Sequence, residues 1–242
     1  MINAKIKMAI FEHAQEVYPN ECCGVVTQKG RVQKYHRVDN VHTDPENHFQ
    51  MDAEQYARIM DVADDGEFSI IAIVHSHCGD GASTLPSAHD SCMCDEMGVS
   101  WVIVSLPEGD LRIVEPENRP LIGRPWALGS FDCYGLVMAW HKEQGITLTD
   151  FRKTYEWWKP EYNENLYFDN YESEGFIPTE KDPEPGDMII MQIGAEKWNH
   201  AGIYLGDNQL LHHTHGKLSR QDIYSGWYQQ HTVMVCRHKD LK

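Results

Sequence analysis

Apolar residues recur along the first half of the chain at two periods, and each period predicts a different element. Ile6, Ile10, Ala14 and Val17 lie three or four residues apart. That spacing gathers side chains on one face of a helix, and Pro19 ends it because proline cannot continue the backbone ladder. GVVTQ (24–28) and RVQKYHRV (31–38) are rich in β-branched and aromatic residues and read as two strands around the turn Lys29-Gly30. AEQYARIMDVA (53–63) predicts a second helix. FSIIAIVH (68–75) is a short, nearly unbroken apolar run, as expected of a buried strand. A helix over 87–97 and a hairpin of SWVIVSL and LRIVE, turning at 107–110, complete an α/β unit.

Residues 114–129 break the pattern with three prolines and two glycines, which predicts a linker. The expected division is 1–115, a linker at 116–128, and 129–242. Beyond the linker, CYGLVMAWHKEQGI (133–146) has helical spacing and is followed by an aromatic, polar stretch over 155–175. Strands are then expected at DMIIMQI, HAGIYLG, QLLHHT and TVMVCRH. One helix followed by a run of strands predicts an α+β domain. No internal repeat or low-complexity tract is present.

Composition narrows the function. Hydrophobic residues make up 41% of the chain, with seven Trp, eleven Tyr and seven Phe, enough to fill folded cores. A formal net charge of −16 repels phosphate backbones, so no nucleic-acid partner is expected. No apolar run reaches the roughly eighteen residues that a membrane span needs. MINAKIKMAIFEHAQ reads as an amphipathic helix rather than an export signal, because Glu12, His13 and Gln15 interrupt it. The seven cysteines are odd in number and irregularly spaced, which favours thiols over a disulfide framework.

The densest chemistry lies in HSHCGDGASTLPSAHD, residues 75–90. On a strand, His75 and His77 point to the same face. Ser87 and Asp90 share one face of the helix that starts after Pro86. Two imidazoles and one carboxylate leave a fourth position for water, the arrangement of catalytic zinc. Asp80, His89 or Asp95 could replace Asp90 as the carboxylate or imidazole donor. Glu21, in PNECCG, is a candidate general base from another element. Cys22, Cys23, Cys78, Cys92 and Cys94 lie near this motif, and small buried residues are a better expectation for them than a second, thiolate-held metal. The order Glu, His-x-His, Ser-x-x-Asp resembles the JAMM (MPN-plus) metallopeptidase family over roughly residues 1–115. The resemblance implies a JAMM-like mixed sheet flanked by helices, a zinc held by His75, His77 and Asp90, water activation by Glu21, and oxyanion stabilisation by Ser87. Nine residues separate His77 from Ser87, a longer spacer than is usual in that family, and Cys78 stands where proline is common.

The second cluster begins at FDCYGLVMAW. Cys133 opens a helix with Asp132 as its cap, and the helix dipole favours a thiolate there. His200 begins one expected strand and His212 lies on the next, across the turn at 206–208, so strand pairing can bring them together. Asp-Cys, Pro-Gly-Asp, His-x-Gly-Ile-Tyr-x-Gly and a final His, in that order, are similar to the NlpC family of cysteine peptidases. The resemblance implies a papain-like fold acting on peptidoglycan stem peptides, with Cys133 as nucleophile, His200 as base and His212 as its orienting partner. His213 and His215 fall on the opposite strand face from His212. Tyr134 occupies a position where a small residue is common.

The two domains in this order resemble a family of tail-tip assembly proteins of lambda-like phages. That implies other tail-tip proteins as partners, and a place in the host cytoplasm during tail assembly or at the virion tail tip. The alternative is a structural tail-tip component in which one or both sites are vestigial.

Overall fold

The apolar run at 68–75 is the central strand of the first half. In the computed structural model, which describes residues 2–162 and 164–242, it forms β3 (Ser69–His77). It is preceded by α1 (Ala4–Val17), β1 (Cys23–Lys29), β2 (Val32–Val38) and α2 (Ala53–Asp65). It is followed by α3 (Ala88–Met97), β4 (Ser100–Ser105) and β5 (Asp110–Val114). The chain divides into two compact units, Met1–Asn118 and Arg119–Lys242.

The first unit is built on a five-stranded sheet in the order β2-β1-β3-β4-β5. Only β3 and β4 run parallel; the other pairings are antiparallel. A parallel pair needs a crossover, and α3 supplies it. Side chains alternate between the faces of the sheet. Val26, Ala72, Val74, Val102 and Val104 pack with Ile6, Ile10 and Ala14 of α1. Val25, Ile73 and Trp101 pack with Cys94 of α3 and Tyr56 and Ile59 of α2. Each fully buried Val or Ile contributes about 1.5–3 kcal/mol relative to exposure. His75 and His77 have the parity of Ile73, so both belong to the α2–α3 face.

The second unit contains α4 (Cys133–Glu143), α5 (Leu166–Asn170), β6 (Phe176–Pro178), β7 (Met188–Met191) and β8 (His200–Gly206). The chain continues through β9 (Gln209–His212), β10 (Arg220–Ile223), α6 (Trp227–His231) and β11 (Thr232–His238). Its six strands pair antiparallel in the order β10-β9-β8-β7-β11-β6. Leu136 and Val137 of α4 pack on Met188, Ile190, Ala201, Ile203 and Leu211. Ile189, Met191 and Leu210 are buried with Tyr224 in another cluster. The helix expected to reach residue 146 stops at Glu143, and Gly145 follows at φ +80°. The pattern did not predict α5, β6, β10 or α6. The first unit is thus α/β with a mixed sheet, and the second combines an antiparallel sheet with helices.

Candidate active sites

In the first unit, β3 and α3 bring three donor atoms together. His75 Nε2 lies 3.0 Å from His77 Nε2, 3.4 Å separates His75 Nε2 from Asp90 Oδ1, and 3.6 Å separates His77 Nε2 from Asp90 Oδ2. A tetrahedral zinc with bonds of about 2.0–2.1 Å holds its donors about 3.3–3.4 Å apart, so this triangle has the size of one face of such a site. The tautomer also fits. His77 Nδ1–H donates to Ser83 O at 2.7 Å, which leaves the Nε2 lone pair facing the other donors. His75 stacks on Phe49, with ring centroids 4.7 Å apart, and meets Trp101 edge-on. Its Nδ1 is buried with no hydrogen-bond partner among the described residues.

The α3 N-terminus fixes Asp90. Ser87 Oγ accepts the Asp90 N–H at 3.0 Å, and Asp90 Oδ2 accepts the Ser87 N–H at 2.7 Å. This reciprocal capping box satisfies two end donors of the helix. Burial opposes ionisation of Asp90, but the imidazoles of His75 and His77 beside it hold its carboxyl well below the usual range. Burial lowers His75. His77 is raised instead: burial works against its charge, and Asp90, the Ser83 carbonyl and Glu21 outweigh it.

Glu21 enters from the strand next door. Cys23 pairs with His75 in the antiparallel β1–β3 register, and two residues further back the same register sets Glu21 beside His77, on the same face. Burial pushes the Glu21 carboxyl up to about 8, against the pull of His77 and with help from Asp90 and Asp44. Asp80 and His89 are exposed and stand outside the donor group, while Asp95 accepts the Glu117 N–H at 2.7 Å. Among the described residues, His75, His77 and Asp90 form the one group able to hold a metal ion. The neighbouring cysteines are buried. Cys23 and Cys78 donate to the carbonyls of Val38 and Asn20, and burial raises Cys22 to about 11 and Cys23 to about 12.

In the second unit, Asp132 caps α4 and so positions Cys133. Its two oxygens accept the N–H groups of Gly135 at 2.8 Å and Gly129 at 2.9 Å. The turn is tight, because a Cβ at Gly135 would meet Ser130 O at 2.2 Å. Cys133 Sγ lies 3.2 Å from the hydroxyl of buried Tyr167. The thiolate expected from the helix dipole does not result: burial, reinforced by the Asp132 carboxylate, pushes Cys133 up to about 12. Desolvation of a buried sulfur here outweighs half a unit charge at a helix end.

Cys133 and His200 both line a cleft of about 350 Å³. Trp126, Phe151, Trp157, Trp158 and Trp227 supply aromatic surface to it, and Arg152 and Glu156 supply charge. Tyr134 also lines it, stacked on Phe151 at 3.8 Å. Its hydroxyl donates to Thr149 O. His200 Nε2 lies 3.0 Å from His212 Nδ1, and burial, helped by His212 and His213, lowers His200 to about 3. Gly202, rather than His200, is the direct partner of His212 across β8 and β9, so the two imidazoles meet diagonally. A Cβ at Gly202 would come within 2.8 Å of the His212 Cβ, so glycine is what lets the strands carry the pair. His213 instead meets Lys217 O at 3.0 Å, and Trp126 packs against both His213 and His215.

Two residues that no sequence pattern predicts complete this cluster. His212 Nε2 lies 3.1 Å from Asp222 Oδ2, and Tyr167 touches the sulfur. Neither belongs to a recognisable motif, and Asp222 sits on β10, which has no apolar alternation.

Comparison with known proteins follows the same division. The model for prokaryotic homologs of the JAB domain matches residues 3–116, and the NlpC/P60 family model matches residues 123–237. The chain is 45% identical over 236 residues to tail tip assembly protein K of Escherichia phage N15, covering 97% of this chain and 94% of that one. It is 33% identical over 172 residues to tail tip assembly protein K of Escherichia phage lambda, covering 70% of this chain and 82% of that one. An NlpC/P60 family protein from Bacillus cereus, of solved structure, is 14% identical, with 96% of this chain and 67% of that chain covered and a TM-score of 0.34. With close to half of its residues shared along nearly its whole length, and both domain types in order, the chain belongs to the tail tip assembly protein K family.

Proposed function

We propose that this member of the family carries two hydrolytic centres: a thiol peptidase acting on peptidoglycan stem peptides, and a zinc-dependent centre hydrolysing a peptide or isopeptide bond. The observation that carries the reading is the shared cleft of Cys133 and His200, with the imidazole anchored through His212. NlpC/P60 is a peptidase family, and tail tip assembly implies other tail proteins as partners. In the proposed mechanism the Cys133 proton passes to His200 as sulfur attacks the scissile carbonyl. The leaving amine takes that proton from His200, and water then hydrolyses the thioester. Burial leaves both thiol and imidazole neutral at rest, so proton transfer accompanies attack rather than preceding it. Cys133→Ala is expected to abolish hydrolysis of stem peptides; unchanged turnover would reject Cys133 as nucleophile.

In the first unit His75, His77 and Asp90 would hold zinc, with Glu21 as the general base and the Ser87 hydroxyl, whose proton is not used in capping, as a donor to the developing oxyanion. Zinc held there would act as a Lewis acid and acidify water. The support is the donor triangle of 3.0–3.6 Å and the lone pair that Ser83 directs on His77. A nearby cation favours the ionised form of Glu21, the form that accepts a proton. Elemental analysis is expected to find zinc in the purified chain and to lose it in the His75→Ala, His77→Ala double variant. Full retention would remove these ligands from the account.

A further inference from the structure

Beyond the pair of histidines, hydrogen bonds run across three adjacent strands on one face of the second sheet. His212 is opposite Gly202 on β8 and opposite Arg220 on β10. His200 and Asp222 therefore sit one diagonal step to either side of it, with matching parity. The contacts follow that diagonal: His200 Nε2 to His212 Nδ1 at 3.0 Å, then His212 Nε2 to Asp222 Oδ2 at 3.1 Å. Asp222 is itself held by the Tyr228 hydroxyl at 2.7 Å and by Arg220 Nε at 2.9 Å. The Tyr228 ring also packs edge-on against His212 at 4.9 Å.

We infer that Asp222 is the positioning residue of the thiol centre, fixing through two neutral imidazoles in series which nitrogen of His200 is free to take a proton. The inference rests on the thiol-peptidase reading. An ionised carboxylate can only accept, so His212 must donate from Nε2. A neutral His212 then has its lone pair on Nδ1, so His200 donates from Nε2. That leaves the lone pair of His200 on Nδ1, the nitrogen not engaged with His212, for the thiol. Reversing the first bond reverses both tautomers and puts a proton where the base needs a lone pair. Tyr228 and Arg220 keep the end of the chain in its accepting state. Despite burial, Tyr228, His212 and Arg220 hold Asp222 below the usual carboxylate range. Burial keeps His212 neutral against the pull of Asp222.

Two measurements on the full chain test this. Long-range proton–nitrogen NMR of the imidazoles is expected to show the Nε2–H tautomer for both His200 and His212. The Nδ1–H tautomer at either would overturn the relay, whatever the activity. Asp222→Asn is expected to populate the Nδ1–H form of His200 and to lower kcat on a stem peptide by about a hundredfold, with KM within about threefold. Tyr228→Phe is expected to shift tautomers and kcat in the same direction by a smaller factor. An Asp222→Asn protein with parental tautomers and kcat within about twofold overturns the inference and leaves Cys133 untouched. If Cys133→Ala retains full turnover, the thiol reading fails, and the tautomers of the parent still decide whether the relay exists.

Discussion

At the scale of single residues, one hydroxyl opposes the burial that keeps Cys133 protonated. Burial raises the thiol, and Tyr167 at 3.2 Å pulls the other way by donating to sulfur. A hydrogen bond to a charged group contributes about 1.5–3 kcal/mol. Tyr167→Phe is therefore expected to slow alkylation of Cys133 by iodoacetamide about tenfold to a hundredfold, read as modification of the Cys133 peptide by mass spectrometry. An unchanged rate would mean that the phenol does not stabilise the thiolate. The residues brought together by the fold were legible where several chemical groups stand at short, regular spacing. His75 and His77 alternate on a strand, Ser87 and Asp90 share a helix face, and Cys133 follows a helix cap. Tyr167 was not legible, because one tyrosine in the aromatic stretch 155–175 carries no signal until the fold turns it toward the sulfur. The protonated state of Cys133 was hidden for a related reason: the helix dipole is visible in a sequence, and desolvation is not.

At the scale of elements, α3 has two tasks. Its capping box closes the first turn and also aims Asp90 at the two histidines. Ser87→Ala removes the acceptor for the Asp90 N–H and is expected to lower unfolding stability by about 1 kcal/mol, measured by urea titration. Zinc affinity is expected to fall about tenfold or more through the loosened carboxylate, and Ser87→Thr should recover both. An Ala variant with parental stability and affinity would show that the cap holds neither helix nor ligand. Elements with strong periodicity, such as α1, β3 and β4, were readable because local pattern and tertiary burial agree in them. The others are set by their partners. RQDI of β10 is mostly exposed and is a strand because β9 offers it an edge. FIP of β6 and WYQQH of α6 are three and five residues long, too short to show a period. The missed elements matter to function, since β10 carries Asp222 and α6 carries Tyr228.

At the scale of the molecule, four buried histidines tie the second unit to pH, His212 among them. Burial lowers His141 to about 4, His200 to about 3 and His213 to about 4. His141 lies in the apolar core between Trp140 and Phe176. Its Nδ1–H donates to Val137 O, and its Nε2 is buried without a partner among the described residues. In the unfolded chain each histidine titrates near 6.5. Between about pH 6.5 and 4 the unfolded state therefore binds protons that the folded state refuses, and stability falls as pH falls. Asp132, raised by burial to about 6, works the other way, because the folded state takes up its proton first. With four histidine protons against one, unfolding free energy is expected to drop by at least roughly 2–3 kcal/mol per pH unit around pH 5. Six of the seven tryptophans lie beyond residue 118, with Trp101 the exception, so tryptophan fluorescence during urea unfolding reports mainly this unit. His141→Phe keeps the ring volume and removes one titrating group. It is expected to flatten that slope by about 1.4 kcal/mol per pH unit. A variant as acid-sensitive as its parent would mean that the His141 ring takes up its proton without unfolding, and the buried, unpartnered nitrogen would not be the source of the cost.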